Sequence, residues 1–222
     1  MNELAHIEFA DNPDPRVPCL LLLDTSYSMA GAPIDALNAG LQTFKQDVMK
    51  DALARRRVEV AIVSFGRDGV RGVQDFTTVD EFTPPHLQVG GATPMGEAMA
   101  KGLDILRMRK NLYNTNGVQY YRPWVFLITD GAPTDEWQTS AHHIHQEEAR
   151  GGLNFFCIGV EGASMDTLGQ IASPNRPPLK LKGLQFNEFF VWLSQSQQRV
   201  SHSNVGDQIS MPSPGGWSTI DI

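Results

Sequence analysis

The 222-residue sequence is poor in cysteine, with two, and in positive charge, with 18 Lys plus Arg against 25 Asp plus Glu. Cys19 and Cys157 sit inside apolar runs. They exclude a disulfide-stapled scaffold and read as buried, reduced thiols of an intracellular protein. The net charge of −7 removes the electrostatic footprint of a nucleic-acid binder, and Arg55, Arg56 and Arg57 form too short a basic cluster to restore it. No apolar run exceeds the length of a strand, so no membrane-spanning segment is expected. The first residues are polar and acidic, without a basic and then apolar leader pattern, and a soluble cytoplasmic protein is expected. The motifs G-x-x-x-x-G-K-[ST] and G-x-S-x-G are missing, which excludes a P-loop ATPase and a nucleophile elbow. Core-forming residues are not scarce. Eleven Phe and four Trp within a 41% hydrophobic composition exclude wholesale disorder and suit one domain of ordinary size.

Along the chain, buried strands alternate with amphipathic helices. Residues 17–24 are apolar on both faces, as a strand covered by helices on each side requires. Ile34, Leu37, Leu41, Phe44 and Val48 follow at spacings of 3, 4, 3 and 4, one stripe of a helix with Pro33 in its first turn. Further strands are predicted over 58–65, 69–76, 124–130, 153–160 and 179–181, the second of these as an edge. Helices are predicted over 94–111, 135–150, 165–172 and 186–200. The 135–150 helix opens on Asp135 and Gln138, which together read as a capping box. Met95, Met99 and Met108 lie on or near a helix stripe and read as core. The pattern implies an α/β fold, a doubly wound, mostly parallel sheet with helices on both faces. Its division is an N-terminal arm at 1–16, a domain at 17–200 and a Ser-, Gly- and Pro-rich C-terminal tail at 201–222.

In such a sheet, ligands bind beyond the carboxyl ends of the strands, where the strand order reverses. Two apolar strands end there in Asp24 and Asp130, and a 3-2-1-4-5-6 order makes those strands neighbours. Two carboxylates in a partly desolvated crevice either raise one pKa or hold a cation. The run Asp24-Thr25-Ser26-Tyr27-Ser28 places an acid and two hydroxyls at alternate positions. Thr93 adds a third hydroxyl just after Gly90 and Gly91. Oxygen donors with few carboxylates suit a hard divalent ion such as Mg²⁺ or Mn²⁺. Each residue also has a purely structural reading: Asp24 and Asp130 as loop caps, Ser26 and Ser28 as turn residues, and Thr93 as the N-cap before Pro94.

These three segments resemble the metal-ion-dependent adhesion site of von Willebrand factor A domains, with its DxSxS motif, distant Thr and later Asp. The likeness covers about 17–200. Within that family the segments 90–96 and 128–135 are most similar to the TerY-type proteins of bacterial tellurium resistance and stress. The resemblance implies the Rossmann-like fold of that family and a metal set of Asp24, Ser26, Ser28, Thr93 and Asp130. Ser26 and Ser28 would bind directly, Asp24 and Asp130 often through water, and Thr93 by switching between the two. It implies Mg²⁺, with Mn²⁺ or Ca²⁺ as alternatives, and an open position for an Asp or Glu of a protein partner. For TerY-type systems it implies a kinase and a PP2C-like phosphatase as partners, and no enzyme activity of the chain itself. Tyr27 departs from the pattern, which commonly has a small residue there, and becomes a candidate partner anchor. Asp135 is a second candidate partner contact.

Two other functions fit less well. HAD-type hydrolases carry a second acid two residues after the first, where this chain has Ser26. A metal-independent scaffold or regulatory subunit would use the helical faces or the tail. His142, His143 and His145 near Glu147 invite a zinc site, yet a helix splays them apart and a solvated face is expected.

Overall fold

The computed structural model describes residues 9–214 and 216–219. Among these residues seven strands form one sheet: β1 (Val17–Thr25), β2 (Val58–Gly66), β3 (Gly69–Thr78), β4 (Trp124–Thr129), β5 (Asn154–Gly159), β6 (Leu179–Leu181) and β7 (Ser218–Thr219). The helices are α1 (Ala32–Met49), α2 (Ala54–Arg57), α3 (Met95–Thr115), α4 (Gln138–Ala149), α5 (Met165–Ile171) and α6 (Phe186–Ser201). The strand order is β3-β2-β1-β4-β5-β6-β7. Its central strands pair in parallel, while β3 and β7 pair antiparallel at the two edges. The doubly wound, mostly parallel α/β sheet expected from the sequence is therefore the observed one.

Two-residue periodicity sorts the strands into two cores. Val17, Cys19, Leu21 and Leu23 of β1 face one layer with Phe44, Phe190 and Leu193 of α1 and α6. Leu20 and Leu22 face the other, with Met95 and Met99 of α3 and Ile144 of α4. The two cysteines fall in opposite layers, and burial pushes both thiols up, so both are free and inert. Met108 departs from its expected place: it is 68% exposed. It lies nine residues after Met99, two and a half turns on, and so emerges on the opposite side of the helix.

At the amino ends of the strands, Glu59 is fully buried. It accepts hydrogen bonds from Arg16 Nε at 2.8 Å, from Arg109 Nε at 2.9 Å and from the Tyr113 hydroxyl. Phe9 lies against both guanidinium groups. Residues 1–8 of the expected arm lie outside the described residues. After α6 the chain returns to the sheet. Trp217 is buried against Phe189 and Trp192, with ring centroids 5.0 and 5.2 Å apart, and Ser218 and Thr219 pair with β6. Among the described residues, no helix is long and apolar enough to cross a membrane.

Candidate metal centre

The strand order reverses between β1 and β4, and both of the expected aspartates lie at their carboxyl ends. Leu23 pairs with Ile128, so Asp24 stands level with Thr129, one residue before Asp130. Asp24 is fully buried and Asp130 nearly so. A short 3₁₀ turn, Tyr27–Met29, follows β1 and brings the two serines back toward these acids.

The polar contacts form one chain. Oδ1 of Asp24 accepts from Ser26 N–H at 2.8 Å, and Oδ2 accepts from Thr129 Oγ1 at 2.5 Å. Ser26 Oγ lies 2.9 Å from Ser28 Oγ, which donates to Asp130 Oδ1 at 2.6 Å. Thr93 is buried, and its Oγ1 lies 3.3 Å from the point where a Cβ on Gly131 would stand. Oδ2 of Asp24 lies 3.8 Å from that same point. The side chains of Asp24, Ser26, Ser28, Thr93 and Asp130, far apart in sequence, are thus brought to one place. Tyr27 projects outward from the same turn and is 73% exposed.

Three tertiary contacts hold the Thr93 loop against this cluster. Gly90 N–H donates to Thr25 O at 2.8 Å, and Tyr27 N–H donates to Gly91 O at 3.3 Å. Gly91 has φ of +74° and presses on Gly66 O, where a Cβ would come within 2.3 Å, so only glycine fits. On the other side Thr93 N–H donates to Thr134 Oγ1 at 3.1 Å, and Thr134 N–H donates to Thr93 O at 3.0 Å.

Asp135 does not begin α4 as the local pattern suggests. Its two carboxylate oxygens accept from Gly96 N–H at 3.0 Å and Glu97 N–H at 2.8 Å, in the first turn of α3. The capping box expected for α4 is accordingly replaced by a cap on another helix, and α4 starts three residues later, at Gln138. The loop comes this close because residue 96 is glycine, whose Cβ would stand 1.9 Å from Glu136 O. Thr93 is likewise not the cap of α3. Its hydroxyl makes no hydrogen bond among the described residues, and Asp135 satisfies the helix amides instead.

Burial pushes the Asp24 carboxyl above its ordinary value. Hydrogen bonds from Ser26 and Thr129 oppose this, and the nearby charge of Asp130 adds to it. Two acids and three hydroxyls, that of Thr93 without a hydrogen bond among the described residues, form a hard-oxygen donor set. Such a set fits the chemistry of a hard divalent cation, and Asp24, Ser26, Ser28, Thr93 and Asp130 are the residues that could hold one.

Thr129 and Thr134, which orient Asp24 and Thr93, belong to no metal-ligand motif in the sequence. The available signal for Thr129 was its place directly before Asp130 at the end of a strand. The histidines do not gather: among the described residues, no three His, Cys, Asp or Glu side chains come together to hold a metal. His145 Nε2 contacts Ile171 O at 2.9 Å and Ala172 O at 3.1 Å, at the end of α5, whereas His142 meets Gln146.

The sequence model of the von Willebrand factor type A domain matches residues 20–190. No curated protein matches the chain. Among solved structures, the pilus adhesin SpaC from Lactobacillus rhamnosus GG, in its open conformation, is similar with a TM-score of 0.64 at 15% identity, over 84% of this chain and 30% of that one. Proximal thread matrix protein 1 from the mussel byssus has a TM-score of 0.57 at 18% identity, over 84% and 49%. The VWA domain of SpRpn10 has a TM-score of 0.51 at 11% identity, over 72% and 84%. The chain spans about half the length of the mussel protein and under a third of the adhesin. At these identities the likeness is one of fold.

Proposed function

The chain belongs to the von Willebrand factor type A domain family, and from that premise we propose that it is a protein-binding module with an adhesion-type metal site. Asp24, Ser26, Ser28, Thr93 and Asp130 hold a Mg²⁺-type ion, and one coordination position stays available to an Asp or Glu of a partner protein. The ion supplies a Lewis-acid position for that carboxylate. Asp24 and Asp130 provide charge, Ser26 and Ser28 provide direct oxygen donors, and Thr93 adjusts as the fifth. Thr129 and Thr134 orient the set, and Asp135 braces the Thr93 loop through α3. Tyr27 stands at the mouth as an aromatic anchor.

The observation that carries this reading is the convergence of five oxygen-bearing side chains from three segments around Asp24, which is buried among hydroxyl and amide donors. The role is binding, not catalysis, and it needs no nucleophile from the chain. The finer setting we propose is cytoplasmic, in a bacterial tellurite-resistance or stress system with a kinase and a PP2C-like phosphatase as partners. The similarity of segments 90–96 and 128–135 to TerY-type proteins supports it.

The test is the electron paramagnetic resonance spectrum of bound Mn²⁺ with and without acetate. A carboxylate-accepting site changes its spectrum and tightens its hold on Mn²⁺ when acetate is added. A bound ion indifferent to acetate contradicts the partner mode, and absence of specific binding favours the metal-independent scaffold.

A further inference from the structure

The rim around the oxygen cluster is electrically lopsided. Past β4 and β5 it carries exposed Glu161 and exposed Glu136, whose carboxylate accepts from Thr139 N–H at 3.0 Å at the start of α4, and Gly162 lies close to Asp130 O. Past β2 it carries Arg67 and Arg71, exposed cations on a chain of net charge −7.

Arg67 is structurally continuous with the site. Gly90 is bonded to Thr25, the neighbour of Asp24, and a Cβ on Gly90 would lie 3.3 Å from Arg67 Cβ. Gly91 in turn accepts from Tyr27 N–H. Tyr27, the glycine pair and Arg67 therefore stand side by side. Beyond them a groove of about 290 Å³ runs from Thr25 to Arg71, Val73 and His86. Asp68 lies 3.8 Å from Arg67 Nε and 3.7 Å from Arg71 Nη1, so a single carboxylate balances two guanidinium groups. Arg67 also donates to Gln88. Arg71 keeps most of its donor edge for a ligand, and Val73, 37% exposed, offers apolar contact beside it.

We propose that this groove takes the continuation of the partner segment that reaches the metal site, and that this segment is acidic a second time where it meets Arg67 and Arg71. The inference rests on the metal-dependent reading above. The occupant is an extended acidic peptide of a partner protein, oriented by the rim: Glu136 and Glu161 repel it on one side, and the arginines draw it to the other.

The probe is a set of fluorescein-labelled peptides in a Gly-Ser background, read by anisotropy in Mg²⁺ with the full chain. One carries a single Glu, and the others carry two Glu separated by two, three or four residues. At least one two-acid peptide binds about 10-fold tighter than the single-acid peptide, with a steeper salt dependence. The paired variant Arg67→Gln, Arg71→Gln loses that advantage and keeps Mn²⁺ binding and a cooperative melting curve, since both side chains are exposed and only surface ion pairs to Asp68 are lost. Equal binding of all peptides to the wild type overturns the inference, as does an advantage that survives in the variant. If the wild type binds Mn²⁺ and none of the peptides, the inference fails while the metal site stands. If it binds no Mn²⁺, the metal reading fails and takes the inference with it.

Discussion

Thr129 donates its hydroxyl proton to Oδ2 of Asp24 across 2.5 Å, joining β4 to β1 at the reversal of strand order. The same hydroxyl oxygen accepts from Gly131 N–H at 3.1 Å. One side chain therefore orients the buried acid and also sets the turn that carries Asp130. Thr129→Val keeps the shape and removes the hydroxyl. It is expected to cost about 1–2 kcal/mol of stability and to weaken Mn²⁺ binding several-fold. Thermal denaturation and a Mn²⁺ titration check this, and unchanged values in both would show the hydroxyl to be idle.

The brace on the Thr93 loop makes a second prediction. Gly96→Ala drives a methyl into Glu136 O and is expected to destabilise the fold by about 1–3 kcal/mol. Asp135→Ala leaves two amides of α3 uncapped and is expected to cost about 1–2 kcal/mol. Both variants also bind Mn²⁺ more weakly, because Thr93 is no longer held in place. Denaturant titration alongside metal titration separates the two effects, and destabilised variants with wild-type metal affinity would contradict the coupling.

Tyr27 should behave oppositely. Its ring is exposed and contributes nothing to the oxygen set, so Tyr27→Ala is expected to leave both Mn²⁺ affinity and stability unchanged. Its effect is confined to an acidic partner peptide, whose binding weakens by about 10-fold. Anisotropy in Mg²⁺ reads the difference, and unaltered peptide affinity would remove the anchor role.

A pH-dependent contribution lies at the base of the last helix. Burial works to raise the Asp51 carboxyl, but the Ala54 amide, His202 and the Leu53 amide outweigh it and hold it below its ordinary value. A depressed carboxyl stabilises the folded state fully above its unfolded value, and this is lost as the pH falls through the folded one. Asp51→Asn is therefore expected to lower stability at neutral pH by about 1 kcal/mol, and the deficit closes in acid, below the ordinary aspartate range. Denaturant unfolding of both proteins from pH 7 down to pH 3 checks this, and a deficit independent of pH would contradict it.

The layered sheet was legible because strands buried on both faces leave little ambiguity: an unbroken apolar run such as 17–24 fits little else when it ends in an acid and a turn. Asp24 and Asp130 were legible for the same reason, since strand ends fix where their side chains emerge, whereas Ser26, Ser28 and Thr93 stood out through their resemblance to the adhesion-site motif. Local patterns misled where a tertiary partner intervened. Asp135 and Gln138 have capping-box spacing, yet amides 39 and 38 positions away, on Gly96 and Glu97, took the carboxylate. Thr129 looked like an ordinary strand former, and only the β1–β4 register gives its hydroxyl a task. Glu59 read as one more strand residue, with no local sign that Arg16 and Arg109 would surround it. Trp217 was hidden by the Pro- and Gly-rich run before it, although a single tryptophan suffices to bring the chain back to the core.

The central claim is that five side chains from three segments hold one divalent ion. Mn²⁺ titration followed by electron paramagnetic resonance, on the wild type and on Ser26→Ala and Thr93→Ala, tests it most directly. The account predicts one bound ion in the wild type and weaker binding in each variant, with melting curves close to wild type. No specific ion, or an ion held equally well by all three proteins, would contradict it.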